Sequence, residues 1–214
     1  SVLIGDFVYS KAFQKMATLN NPKVIKLLAD STNKISEGEV MQLSLKTTFL
    51  NDKEYFEVIG RKTAELFKAA ALSAAILAKA PKTQLDNVSK FSFSLGIIFQ
   101  INDDLLDYFG DTRKTGKELG QDLIEGKITL PLIKAYELCN KKDRKLISNA
   151  LKKLNLNDIE LVKNIIVSSG ALNKTIEIRK KYSKNCKKYI GKLPETEYKE
   201  LLNNIVDEFI EVNF

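Results

Sequence analysis

Residues 96–109, GIIFQINDDLLDYF, set Asp103, Asp104 and Asp107 into an otherwise strongly apolar stretch. If the stretch is a helix, Ile97, Ile98, Phe99, Ile101, Leu105, Leu106 and Phe109 leave little room for a solvent-facing side. An unpaired buried carboxylate is strongly unfavourable, so the fold has to bring positive charge to this helix. Asp103 and Asp107 are four apart and share a helical face, with Asp104 beside them. Clustered carboxylates with no histidine or cysteine nearby are hard ligands suited to Mg²⁺, which keeps several waters and is usually completed by substrate phosphates. The competing reading is an acidic stripe on an exposed helix, and the apolar flanks argue against it.

The rest of the chain reads as helix too. Apolar residues recur at helical spacing in Val24, Ile25, Leu27, Leu28 and Ile35, and again in Leu201, Leu202, Ile205, Phe209 and Ile210. Strand-like alternation is nowhere sustained, and only 10 Gly and 4 Pro interrupt 214 residues. Asn21 before Pro22 marks a helix start, as do Asn51 with Glu54, Thr83 with Asp86, and Asn157 with Glu160. Gly170 and GKLPET (191–196) mark ends. The punctuation predicts about eight to ten helices in an all-α bundle forming a single domain over 1–214.

Composition removes whole classes of chemistry. With no histidine, Ser-His-Asp and Cys-His catalysis and histidine-bound zinc are excluded. Cys139 and Cys186 lie far apart, without the spacing of a disulfide framework or thiolate site, so a reducing cytoplasm is expected. The run AAALSAAILA (69–78) is too short to span a bilayer, and no integral membrane segment is expected. The net charge of +7 sits in the tail: residues 1–133 carry 17 cations against 16 anions, residues 134–214 carry 17 against 11. KKDRK (141–145) and RKKYSKNCKK (179–188) read as solvated helix faces, and no nucleic-acid partner is expected.

Cations surround the acids in sequence. Arg113, Lys114, Lys117 and Lys127 follow them, and Lys62 with Thr63 precede them in RKTAELF. Lysines supply point-charge contacts to phosphate oxygens. Asp122 could pair with a neighbouring lysine or receive a metal-bound water, and the sequence leaves both open.

GIIFQINDDLLDYFGD, then GKELGQDLIEGKITLPL (116–132), with GRKTAELFKAA (60–70) upstream, resembles the trans-type polyprenyl diphosphate synthases. IGDFVYSKAF (4–13) and SEGEVMQL (36–43) resemble further blocks of that family, and the first is most similar to its long-chain, octaprenyl-type members of quinone side-chain synthesis. The resemblance implies the all-α isoprenoid synthase helical bundle. The Asp103, Asp104, Asp107 motif is then the second of the family's two aspartate-rich motifs, with Asp103 a direct Mg²⁺ ligand and Asp104 and Asp107 holding metal-bound water. Lys62, Thr63 and Lys117 are expected to hold the allylic diphosphate, Gln100 to face the reacting allyl group, and Lys127 to contact diphosphate.

The implied reaction condenses an allylic diphosphate with isopentenyl diphosphate, commonly in a homodimer. It needs no histidine base, because the released diphosphate can take the proton. The family's first aspartate-rich motif belongs upstream of the GDF block, and only three residues of this chain precede that block, IGDFVYSKAF (4–13). An N-terminally incomplete bundle is therefore expected, inactive when assayed alone. The alternative is a non-catalytic subunit of a heteromeric prenyl diphosphate synthase.

Overall fold

The computed structural model describes residues 2–45, 51–111 and 119–211. Among these residues there is no strand. Among the described residues eleven α-helices follow one another: α1 Val2–Thr18, α2 Pro22–Ser44, α3 Asp52–Ile59, α4 Glu65–Leu77, α5 Lys82–Phe109, α6 Gln121–Ile124, α7 Leu130–Leu138, α8 Lys141–Lys153, α9 Ile159–Ser168, α10 Ala171–Ile190 and α11 Glu197–Ile210. A π-helical turn, Gly60–Ala64, joins α3 to α4, and a 3₁₀ turn, Leu156–Asp158, precedes α9. The count exceeds the eight to ten expected because the π turn divides one apolar run and α6 is a single turn.

Two expected caps are placed differently. Helix α5 begins at Lys82, with Pro81 before it at φ −65° and ψ 155°, so the proline ring presets the entry without Thr83 as cap. Asn155, not Asn157, turns the chain before α9: its side chain accepts from the Asn157 amide at 3.0 Å. Asn21 and Asn51 cap α2 and α3 as expected, and Asn51 with Glu54 forms a reciprocal capping box.

Helix α5 is the centre of the bundle, packing against α4 on one side and α10 on the other. Its residues Ile97, Ile101, Leu105 and Tyr108 enter a core with Leu130, Ile133, Ile147 and Ile166. A second cluster joins Phe91, Leu95 and Ile98 to Cys186, Ile190 and Val206. Each such side chain contributes about 1.5–3 kcal/mol of burial. Helix α1, by contrast, buries none of its residues, and Phe7 and Val8 are 62% and 60% exposed.

Two glycines bring α2 and α5 onto the π turn from opposite sides. A Cβ at Gly38 would stand 2.6 Å from the Lys62 amide nitrogen, and one at Gly96 would stand 2.5 Å from the Ala64 Cα. Only glycine permits such approaches, so the Arg61–Ala64 backbone is gripped between two helices. Lys62 and Thr63 are thereby held beside the acids of α5.

Candidate active site

The polar residues form a connected chain across the interior. Thr63 Oγ1 donates to Gln100 Oε1 at 2.8 Å. With its oxygen thus fixed, the Gln100 amide points its Nε2 at Asp104 Oδ1 (3.0 Å) and, more distantly, Asp103 Oδ2 (3.4 Å). Asp104 is buried, and its other oxygen accepts from the Tyr55 hydroxyl at 2.7 Å and the Leu130 amide at 3.1 Å. Thr63 and Asp103, 40 positions apart, therefore share one hydrogen-bonded unit through Gln100.

Asp107 turns to the start of α6, where it accepts from the amides of Gln121 (3.0 Å) and Asp122 (3.2 Å). Asp122 in turn pairs with Lys127 at 3.1 Å, the first of the two possibilities the sequence left open. Glu125 holds the same ammonium at 2.7 Å. Lys62 donates to Gln42 Oε1 at 2.6 Å and pairs with Glu39 at 2.7 Å.

A cavity collects Lys62, Gln100, Asp103, Asp104, Asp122 and Lys127 on its wall. Thr63 and Asp107 do not line it: Thr63 stands behind Gln100, and Asp107 braces the α6 end. Lys117, with Arg113 and Lys114, lies outside the described residues. Gln42 and Tyr55 join the site unannounced by sequence reasoning, although Gln42 sits within the SEGEVMQL block.

The electrostatics are those of an acid-rich interior. Burial pushes the Asp104 carboxyl up to about 7, and the charge of Asp122 adds to the rise against its three hydrogen bonds. Asp107 rises to about 6 from the same two causes. Burial raises Asp122 as well, with Lys127 opposing. Burial works against the Lys127 ammonium, but Glu125 and Asp122 outweigh it and hold its pKa high.

Carboxyls raised in this way lack positive charge, and a hard divalent cation would supply it. No three His, Cys, Asp or Glu among the described residues are arranged to hold an ion by themselves. The donor set therefore fits a cation held by one or two carboxylates and completed by water and phosphate, which is the habit of Mg²⁺.

Comparison with known proteins gives a consistent picture. A family model described as polyprenyl synthetase matches residues 1–168. Octaprenyl diphosphate synthase of Haemophilus influenzae is 36% identical over 216 residues, covering 100% of this chain and 66% of that protein. A polyprenyl synthase from Caulobacter crescentus CB15, solved in complex with calcium and isoprenyl diphosphate, aligns with a TM-score of 0.93 at 33% identity. That alignment covers 98% of this chain and 65% of the other. A decaprenyl diphosphate synthase from Rhodobacter capsulatus aligns with a TM-score of 0.90 at 33% identity, covering 98% and 66% respectively. The chain thus spans just under two thirds of the length of these relatives.

Proposed function

Because the chain belongs to the polyprenyl synthetase family, we propose that its carboxylate and lysine cavity serves prenyl transfer from an allylic diphosphate to isopentenyl diphosphate. The observation that carries this reading is the Thr63–Gln100–Asp104 chain, which ties the threonine of the Lys-Thr pair through Gln100 to a carboxylate of the cavity wall. The product is a long-chain all-trans polyprenyl diphosphate, by likeness to the octaprenyl and decaprenyl synthases.

In this scheme Lys62 and Lys127 carry the charge that meets the allylic diphosphate, with Lys117 as a further contact. Lys62 is poised by Gln42 and Glu39, a half-exposed pair from which it can turn to phosphate. Asp103 and Asp104, on the cavity wall, would hold Mg²⁺ and its water, and Asp107, whose oxygens accept from the Gln121 and Asp122 amides, would join them only by leaving those amides. When bound, Mg²⁺ would supply Lewis-acid stabilisation of the charge that develops on the leaving diphosphate. The allylic C–O bond breaks with its electron pair on the diphosphate, and the isopentenyl double bond attacks the freed carbon. A proton then leaves to the released diphosphate. Gln100 is locked by Thr63 and Asp104, so its amide faces the reacting carbon in one orientation. Preorganised charge of this kind acts on the transition state more than on the bound substrate.

We place the whole chain in one prenyl synthase domain, working in the cytoplasm as part of a homodimer. Among the described residues no helix is long and apolar enough to cross a membrane. Calorimetry with an allylic diphosphate tests the reading. Binding is expected with Mg²⁺ present and lost on chelation, and Lys62→Ala should weaken it. Equal binding with and without metal would contradict the proposal.

A further inference from the structure

Behind the carboxylates lies a buried polar junction that the proposed reaction does not use. Arg179, in α10, is 4% exposed. Its Nη1 donates to Asn102 Oδ1 at 2.9 Å, and its Nη2 donates to the Ile210 carbonyl at 3.2 Å. Asn102 Nδ2 donates to the Phe209 carbonyl at 2.7 Å. Phe209 and Ile210 close α11, and the last carbonyls of a helix have no donors within it. Two side chains therefore satisfy the end of α11, and one of them is the neighbour of Asp103. A guanidinium suits the place, since its planar fork reaches two acceptors and its charge meets the negative helix end.

A second contact ties the same two helices. The Phe209 ring lies 6.0 Å from that of Phe99, which lies 5.3 Å from Phe67. Phe99, Asp103 and Leu106 share one face of α5, and with Asn102, Glu208 and Phe209 they line a single cleft. The end of α11 is thus one wall of a cleft whose opposite wall carries Asp103.

We propose that Arg179 is a positioning residue: by joining Asn102 to the carbonyls of Phe209 and Ile210, it fixes α11 against α5 and holds Asp103 in place. The functional part of this inference rests on the prenyl-transfer reading. Stability alone does not account for the junction, because apolar groups of similar volume often serve as well as buried charge. What apolar groups cannot do is fix the direction of Asn102 and the two carbonyls together.

Hydrogen exchange on the 214-residue chain tests it, comparing wild type, Arg179→Gln and the double variant Arg179→Met/Asn102→Leu. The double variant removes guanidinium and amide together, so no polar side chain is left buried and unpaired at the junction and only the α11 carbonyls lose their donors. In the unlatched variants protection should fall in α11 and in residues 99–106 together, with α8 and α9 unchanged. Their Mg²⁺-dependent binding of inorganic diphosphate should weaken about tenfold. Loss confined to α11, with residues 99–106 and diphosphate affinity unchanged, would overturn the proposal. Uniform loss across all helices would also overturn it, since that is the mark of a merely stabilising residue. If wild type binds no diphosphate, the prenyl-transfer reading fails instead, and the exchange map still decides whether Arg179 positions α5.

Discussion

Tyr55 donates its phenolic proton to Asp104 Oδ2 at 2.7 Å, joining α3 to the carboxylate helix across 49 positions of sequence. Both side chains are 3% exposed, so the bond is almost wholly withdrawn from bulk solvent. Tyr55→Phe should cost about 1–3 kcal/mol of unfolding free energy, the range for a buried group losing a charge-type partner. Urea unfolding measures it, and an unchanged midpoint with an unchanged slope would show that the bond contributes nothing net.

The grip on the π turn gives a second expectation. Gly96→Ala places a methyl 2.5 Å from the Ala64 Cα, a backbone atom that cannot yield without moving the turn. A loss of about 1–3 kcal/mol is expected from this overpacking. Gly5→Ala is the control: nothing lies within 4 Å of its Cβ, and alanine is the better helix former by roughly 0.5–1 kcal/mol. Thermal unfolding of the two variants should therefore shift in opposite directions, and a matched decrease would contradict the close-approach argument.

Cys186 links pH to stability. Burial pushes its thiol up to about 12, and its Sγ donates to the Phe91 carbonyl at 3.6 Å. An unfolded thiol titrates near ~8.5. Between these values the unfolded chain has lost a proton that the native chain keeps, so stability falls as pH rises. From pH 8 to 10 the wild type should lose about 2 kcal/mol more than Cys186→Ala. Parallel losses in urea unfolding would contradict the buried, neutral thiol.

What was legible in the sequence was what is local. The acids of α5, Gln100 three positions before them and the adjacent Lys62–Thr63 pair could be read because each lies within one short segment, and helical spacing decides what shares a face. The Tyr55–Asp104 and Arg179–Asn102 bonds could not, since they join residues 49 and 77 apart and follow from tertiary packing. Asp107 shows the limit of spacing as a guide. Four residues after Asp103 it shares a face by period, yet amides at the start of α6 take up its oxygens. The start of α5 was misread because Pro81 presets the backbone, which leaves Thr83 nothing to cap.

The central claim is that Asp103 and its neighbours bind diphosphate through a divalent cation. Thermal unfolding with inorganic diphosphate, with and without Mg²⁺, tests it for wild type and Asp103→Asn. A ligand bound only by the native state raises the midpoint, and at a hundredfold excess over its dissociation constant the gain is about 2.7 kcal/mol. The account predicts a rise for wild type only when metal and diphosphate are both present, and none for Asp103→Asn. An equal rise in both proteins, or one that survives chelation of the metal, would contradict it.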